Sequence, residues 1–291
     1  MTPSAPPGPS RKTTVRQDRI LYNLARLDRF KSARALQADM RRHHNVQLSR
    51  QTVNRRLVER GYRACRPTWK PKLTVQHRVR RLAWARENQR LTPAHWRHVI
   101  FADESRFSLY PKDGRVRVRR LRTEGHIEQA RLPRVASGGG SVHVWAAFSS
   151  EGKSTLKILE ENVNAAVYRD ILEAEMVPWA EGLYGRNFRF QDDNAPAHRA
   201  RLVTDFLAQN DIMTLQQPSC SPDCNPIEHL WDDLGRAVRS RGVQPTNLRQ
   251  LGEMLTEEWE RIPRERLQTL VDSMPRRLAE ILRARGGHTR Y

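Results

Sequence analysis

The sequence predicts a small all-α domain followed by a larger α/β domain built on a mixed sheet. Apolar residues recur at helical spacing over 15–60, which is typical of short amphipathic helices. From residue 98, strand-like apolar runs come first and then alternate with helical patterns, an order typical of α/β folds. The charge changes as well: residues 1–90 hold 23 Lys+Arg and 5 Asp+Glu, whereas the remaining 29 basic and 27 acidic residues nearly balance.

Composition limits what the protein can be. The 291 residues carry a net charge of +20 and are 38% hydrophobic, which is enough for a packed core. No run approaches the ~20 apolar residues of a membrane span, and the Pro-rich N-terminus lacks the apolar core of a signal peptide. Three cysteines cannot form a disulfide framework, which indicates a reducing intracellular compartment. The basic excess favours a nucleic-acid partner, and we expect no membrane partner.

The first domain is expected over 15–62, after a disordered basic tail at 1–14. Ser32 and Ser49 are suitable N-cap residues for a second and a third helix. Gly61 stands where a helix-ending glycine belongs. Three short helices in so few residues have the size of a helix-turn-helix domain.

The third helix of this domain is the candidate recognition helix. Its polar and basic side chains are suited to DNA bases and phosphates in a major groove. The candidate DNA contacts are Arg50, Gln51, Asn54, Arg55 and Arg56. An ordinary helical bundle with a solvated arginine face would show the same pattern, but the surrounding positive charge favours the DNA-binding interpretation.

A basic linker is expected over 63–97, and two X-Pro steps begin it. Its candidate DNA contacts are Arg66, Lys70 and Lys72. An amphipathic helix follows the X-Pro steps. The predicted apolar face of that helix is formed by Val79, Leu82, Ala83 and Trp84.

The second domain is expected over 98–291, where period-2 and period-3.6 patterns alternate. Its predicted strands cover 98–110, 115–118, 141–148, 187–191 and 212–215. Its predicted helices cover 164–177, 197–209, 226–239, 247–260 and 264–285. These elements are the basis for expecting a mixed sheet covered by helices.

Three acidic residues of this domain stand at positions suited to metal binding. Asp103 and Asp193 each follow a strand-like segment, and Glu228 lies in the first turn of a predicted helix. Each has an ordinary structural interpretation, because aspartates at strand ends often form turns and glutamates at helix starts complement the helix dipole. As hard oxygen ligands, the three together can instead bind Mg²⁺ or Mn²⁺.

Three motifs surround these carboxylates in order along the chain: FADESRF at 101–107, QDDNAPAH at 191–198 and SPDCNPIEHLW at 221–231. They closely resemble the catalytic motifs of Tc1/mariner-family transposases of the Tc1-like branch, and GGGSVHVWAAF at 138–148 resembles a glycine-led strand of that family. Thirty-four residues separate Asp193 from Glu228, as in the Tc1-like subgroup. The resemblance implies a ribonuclease-H-like fold and a DDE triad of Asp103, Asp193 and Glu228, and it leaves Asp192 as a variable neighbour.

The resemblance also implies a reaction. Such an enzyme hydrolyses phosphodiester bonds at the inverted-repeat ends of its element and joins the 3′ ends into TA target DNA. Asp103, Asp193 and Glu228 would hold two Mg²⁺ ions, for which Mn²⁺ substitutes, with Asp103 bridging both and without a nucleotide cofactor. A homodimer would bring two ends together, and the enzyme would act in the nucleus. The triad's neighbours that are suited to contact DNA or orient a ligand are Asn194, His198 and His229.

Two features leave alternatives open. In the family, two helix-turn-helix units precede the catalytic domain, and residues 15–60 resemble only the second, so the first is expected to be missing. The alternatives are therefore a truncated or domesticated transposase that binds DNA without transposing, and a ribonuclease-H-like nuclease without strand transfer.

The second feature is a possible zinc site at Cys220, Cys224 and His229. A tetrahedral zinc site would lack its fourth ligand there, and Cys224 is expected to pack as a small apolar residue.

Overall fold

The computed structural model describes residues 11–65, 71–110 and 139–291. It separates into two compact units, Met1–Trp69 and Lys70–Tyr291. The strand predicted at 115–118 and the candidate DNA contacts Arg66 and Lys70 lie outside the described residues. Within the described part of the chain, no helix is long and apolar enough to cross a membrane.

The first unit contains three helices, α1 (Val15–Leu27), α2 (Ala33–His44) and α3 (Arg50–Glu59). Hydroxyl side chains cap all three: Thr14, Ser32 and Ser49 each accept a backbone N–H from the first turn, which satisfies donors that have no partner inside the helix. At the end of α3, Gly61 has a φ of +86°, a conformation that favours glycine. The core of this unit consists of Leu21, Ala25, Leu36, Met40, Leu48 and Val53.

Residues 11–14, which were expected to belong to a disordered basic tail over 1–14, are a correction to that prediction. Residues 11–14 are part of the folded unit, because Arg11 Nη2 lies 2.5 Å from Asp18 Oδ2 and Thr13 is buried. Thr14 and Gln17 form a capping box at the start of α1. The Thr14 backbone N–H donates to the Gln17 side chain, and the Gln17 backbone N–H donates to the Thr14 hydroxyl. A local ion pair and a helix cap therefore order a segment that its composition alone did not predict to be folded.

The second unit is built on a five-stranded sheet with the order β3-β2-β1-β4-β5. Strands β1, β2 and β3 form an antiparallel meander, and β4 and β5 run parallel to β1. The strands are β1 (Val99–Ser108), β2 (Ser141–Phe148), β3 (Lys157–Leu159), β4 (Arg189–Gln191) and β5 (Met213–Thr214). Strand β3 was not predicted, because its three residues lie at a sheet edge and show no periodic pattern.

Helices cover both faces of this sheet. They are α4 (Val75–Asn88), α5 (Pro93–Arg97), α6 (Ala165–Ile171), α7 (Val177–Tyr184), α8 (Arg201–Gln209), α9 (Ile227–Ser240), α10 (Leu248–Glu260), α11 (Arg264–Val271) and α12 (Met274–Arg283). A π-helical turn, Leu172–Met176, joins α6 to α7, and a 3₁₀ turn, Pro222–Cys224, precedes α9. The helix predicted over 264–285 is therefore two helices, and Pro275 fits the first turn of the second one.

Alternate residues of the central strand enter two separate cores, as the pleat of a strand requires. Val99 and Phe101 pack with α4, α5 and α9–α12. Ile100 and Ala102 point to the other face and pack with α6–α8. The sheet is thus enclosed between two helical layers, and the polar end of β1 emerges from between them.

Helix α4 corrects the linker that was expected over 63–97. It packs against α12 within the second unit, and its buried face holds Arg81, Trp84, Ala85 and Asn88. Val79, assigned to the apolar face, is 61% exposed, and Ala83 is exposed too. The prediction failed because two polar side chains, Arg81 and Asn88, take the place of apolar ones on the packed face.

Candidate active site

The fold places the three acidic candidates on neighbouring segments. Asp103 lies in β1, Glu228 is the second residue of α9, and Asp193 follows β4 by two residues. In the parallel pair of β1 and β4, Phe101 is the partner of Gln191. Asp103 and Asp193 both lie two residues beyond that pair in the same direction, so the sheet brings them to the same edge.

The carboxylates are close enough to repel one another. Burial raises the pKa of Asp103 well above its usual range, and the charges of Glu228, Glu104 and Asp193 raise it further. The pKa of Glu228 is raised as well, by loss of solvent and then by the charge of Asp193. Each raised pKa means that the ionised form is destabilised by the neighbouring negative charges. The site therefore carries an excess of negative charge.

Asp193 differs from the other two because it has partners. Its Oδ1 accepts the backbone N–H of Ala195 at 2.8 Å and lies 2.7 Å from His198 Nδ1. Burial raises the pKa of Asp193, but these contacts outweigh burial and lower it. Burial lowers the pKa of His198, but its contacts with Asp193 and Glu104 outweigh burial and raise that pKa to about 9. Asp193 is therefore held as a carboxylate in a fixed orientation.

His198 is the predicted neighbour that the structure brings into this cluster. It is 2% exposed, its ring stacks on Tyr168 with centroids 3.7 Å apart, and its Nε2 lies 3.3 Å from Glu104 Oε1. The other two neighbours lie differently. Asn194 is exposed and donates to Ser219, whereas His229 Nδ1 lies 3.2 Å from Arg277 Nη2. Burial, and then nearby arginines, lower the pKa of His229 to about 4.

Several residues of this cluster were missed by sequence reasoning. Asp192, considered a variable neighbour, is 1% exposed. It accepts a hydrogen bond from the Tyr168 hydroxyl at 3.0 Å and contacts Arg199, which also donates to the carbonyl of Asp193 at 2.8 Å. The available signals were two successive aspartates and an arginine directly after His198, but only the tertiary fold shows that they meet.

The donor set suits a hard cation, and it does not suit zinc. Asp103, Asp193 and Glu228 offer carboxylate oxygens, which Mg²⁺ and Mn²⁺ prefer, and a cation would relieve their repulsion. In the described residues, no three His, Cys, Asp or Glu side chains converge tightly enough to hold a metal ion as they stand, the triad included. Cys224 is buried in the apolar core, as expected, whereas Cys220 is exposed.

The candidate recognition helix exposes four of its five predicted DNA contacts. Arg50, Gln51, Asn54 and Arg55 reach solvent on α3, and Lys72 is exposed in the second unit. Arg56 is a correction: it is 5% exposed, and its Nη1 lies 2.6 Å from Glu59 Oε2. It stands one helical turn from Val53 and Thr52, which are buried, so it lies on the packed side of the helix.

Comparisons with known proteins give a consistent result. One family model, described as a transposase, matches residues 18–90, and another, described as a DDE superfamily endonuclease, matches residues 98–251. The Tcb2 transposase of Caenorhabditis briggsae is 37% identical over 94% of this chain and 100% of its own length. The Tc1 transposase of Caenorhabditis elegans is 35% identical with the same coverage of both chains. The Mos1 mariner paired end complex with Mn has a TM-score of 0.78 to this chain, covering 99% of it and 83% of the Mos1 chain, at 21% identity. The second unit thus has a ribonuclease-H-like fold.

Proposed function

Because this chain belongs to the Tc1/mariner family of transposases, which move DNA by cut-and-paste with a DDE endonuclease domain, we propose that Asp103, Asp193 and Glu228 are its catalytic residues. One observation carries the proposal. Three segments far apart in the chain bring these carboxylates so near that Glu228 and Asp193 both raise the pKa of Asp103, and Asp193 raises the pKa of Glu228. Proteins rarely leave such repulsion without a compensating charge.

We propose that the compensating charge is a pair of Mg²⁺ ions, with Mn²⁺ as a substitute. A Mos1 structure is named as a complex with Mn, and oxygen ligands from three segments suit either ion. As the family resemblance implies, Asp103 would contact both ions, and Asp193 and Glu228 would hold one each. Bound ions of this kind activate the attacking oxygen and stabilise the leaving oxygen of a phosphodiester.

The protein's own groups set up that chemistry. His198 and the N–H of Ala195 hold the Asp193 carboxylate in one orientation, so that it need not reorganise during the reaction. In the proposed first reaction, a water oxygen attacks phosphorus at a transposon end and the 3′ oxygen leaves. In the second, the freed 3′-hydroxyl attacks phosphorus of a target phosphodiester at a TA site, and the 3′ oxygen of the cut target strand leaves. Neither reaction needs a covalent enzyme–DNA intermediate or a nucleotide.

The first unit is proposed to recognise the inverted repeats at the transposon ends. Helix α3 offers Arg50 and Arg55 for phosphates and Gln51 and Asn54 for base edges. Over residues 50–56 of this helix, the exposed side chains are all basic or polar, as a recognition helix requires. We further propose that a homodimer holds two ends, in line with the paired-end Mos1 complex, and that the reaction takes place in the nucleus, where the DNA substrate resides.

Asp193→Asn tests the catalytic assignment. Cleavage of a pre-nicked inverted-repeat end, with Mg²⁺ or Mn²⁺, should fall by roughly 10³-fold, the scale of losing one preorganised electrostatic group. DNA binding, measured by fluorescence anisotropy, should stay unchanged. Asp205→Asn is the matched control, because Asp205 is 55% exposed on α8 and pairs only with exposed Arg201 in the described structure; it should cleave at the wild-type rate.

Two outcomes would contradict the assignment. If the wild type and Asp193→Asn cleave at equal rates with either ion, Asp193 is not a catalytic residue. If the wild type binds DNA but cleaves nothing, the chain is a DNA-binding protein derived from a transposase, which is the alternative function.

A further inference from the structure

One turn connects all three catalytic segments. We call residues 221–225 the hub turn; it ends two residues before α9, which carries Glu228. Asn225 Nδ2 donates to the carbonyl of Ala102, the residue before Asp103, at 3.1 Å. Gln191 Nε2, two residues before Asp193, donates to the carbonyl of Cys224 at 3.0 Å. The position of this turn therefore sets the spacing between Glu228 and both aspartates.

A buried ion pair joins the hub turn to helix α4. Arg81 of α4 donates from Nη1 to Asp223 Oδ1 and from Nη2 to Asp223 Oδ2, both at 2.6 Å. Arg81 is 1% exposed and Asp223 is 7% exposed. Arg277 of α12 adds a third bond, from its Nη1 to the backbone carbonyl of Asp223 at 2.9 Å. Side chains of α4 and α12 are thus both hydrogen-bonded to Asp223 of the hub turn.

The C-terminal tail completes the enclosure of this pair. Arg81 also donates to the carbonyls of Gly286 and Gly287, each at 3.0 Å, and the Thr289 hydroxyl donates to Asp223 at 2.7 Å. Gly286 has a φ of +75°, and a side chain there would meet the carbonyl oxygen of Arg78 at 2.0 Å. Only glycine allows the tail to lie this close to α4, so the tail is fitted to the ion pair.

Stability alone does not explain this arrangement. Removing two charges from water is costly, and replacing a buried pair by apolar residues of similar volume is often neutral or stabilising. What a bidentate guanidinium–carboxylate pair provides is orientation, because two parallel hydrogen bonds fix both planar groups. In this protein, the group fixed in orientation is part of the hub turn.

We propose that Arg81 is a positioning residue of the active site, which acts through Asp223 and the hub turn to place Glu228 against Asp103 and Asp193. The inference rests on the proposed catalytic role of those three carboxylates. Arg81 itself does not touch the substrate or the carboxylates; it determines whether their oxygens stand at the separation that a pair of metal ions needs. Its loss should therefore change the metal requirement of the reaction as well as its rate.

The experiment separates positioning from stability with a double variant. The full-length proteins are wild type, Arg81→Met, Asp223→Asn and the double variant Arg81→Met/Asp223→Asn, each tested for cleavage of a pre-nicked end over a series of Mn²⁺ concentrations. Leu255→Ala is the control, because Leu255 is fully buried in the same core and lies outside the network of hydrogen bonds around the hub turn. Thermal unfolding is recorded for every variant, and rates are compared at a temperature where all are folded.

Arg81→Met should unfold at a lower temperature and cleave about 10–100-fold more slowly, the effect typical of losing a group that orients a metal ligand. Its half-maximal rate should need several-fold more Mn²⁺. The double variant should recover part of its unfolding temperature, because no charge of the pair is left unpaired although the carbonyls of Gly286 and Gly287 lose their donor. It should remain slow and keep the raised Mn²⁺ requirement. Leu255→Ala should lose unfolding temperature and keep both the wild-type rate and the wild-type Mn²⁺ requirement.

If the double variant regains the wild-type rate together with its stability, the inference is wrong. Arg81 would then serve only to neutralise the buried charge of Asp223. So does a slow double variant with an unchanged Mn²⁺ requirement, since the defect then lies outside the metal site. A wild-type chain that is itself inert has a different meaning, because it overturns the proposed function and this inference with it.

Discussion

Arginines on the exposed face of α3 and arginines beside the hub turn stand in opposite environments. In the first unit, Arg50 and Arg55 point to solvent from α3. In the second, Arg81 and Arg277 are each 1% exposed and are bonded to the turn before Glu228. A count of basic residues therefore does not predict a DNA-binding surface. An arginine is buried, and so not available to DNA, when it shares a helix face with apolar residues, as Arg81 does with Trp84 and Ala85.

The largest test of this comparison is Arg81→Met. Breaking a buried pair from one side leaves a buried charge uncompensated, at a cost of about 3–5 kcal/mol in the free energy of unfolding. DNA affinity of the folded protein should stay at the wild-type value, because Arg81 offers nothing to DNA. Chemical denaturation and anisotropy titration measure the two effects. Weaker DNA binding with unchanged unfolding would mean that α4 belongs to the DNA-binding surface after all.

The second test concerns metal binding by the three carboxylates Asp103, Asp193 and Glu228 of the second unit. If Mg²⁺ or Mn²⁺ binds the three carboxylates, the folded state gains about 2.7 kcal/mol at a concentration 100-fold above the dissociation constant. For a unit of this size, that is roughly 5–10 °C in the unfolding temperature. Asp103→Asn should abolish the rise, whereas Asp232→Asn, a change at an exposed position on α9, should keep it. An equal rise in both variants would place the ions elsewhere.

The smallest test compares two neighbours on α3. Arg55→Ala should reduce the slope of log affinity against log salt by about 0.9, the value for one phosphate contact, and change unfolding by less than about 0.5 kcal/mol. Arg56→Ala should do the reverse: it removes a buried side chain paired with Glu59, so it should cost about 1–2 kcal/mol in unfolding with an unchanged salt slope. If both variants lower the slope equally, the buried position of Arg56 has no functional meaning.

Much of the fold followed from the sequence because long periodic elements carry their own signal. The strand predicted over 141–148 is the observed β2, and the caps predicted at Ser32 and Ser49 are present. Short or polar elements gave no such signal. The three residues of β3 have no period to detect, and the packed face of α4 contains charged Arg81, which periodicity counts as solvent-facing.

The site divides in the same manner. Asp103, Asp193 and Glu228 were predicted from motifs, and the structure places them at one edge of the sheet; their catalytic role remains a prediction. The residues around them, such as Asp192, Glu104 and Tyr168, could not be predicted from one sequence. Each is a polar group whose partner comes from a segment far away in the chain, and pairing at that distance is decided only when the sheet and helices assemble.

The order of the sheet has a consequence for how damaged copies of such a gene are inherited. The central strand β1 carries Asp103. Asp193 follows β4, which lies on the other side of β1 from β2, and Glu228 lies in α9. A frame shift anywhere between residues 104 and 227 therefore removes Glu228, one of the three proposed catalytic residues. The core of the first unit is complete by Val53 and lies upstream of all of these changes. Decay of the gene would thus leave products that keep the proposed DNA-recognition unit and lack the proposed catalytic site.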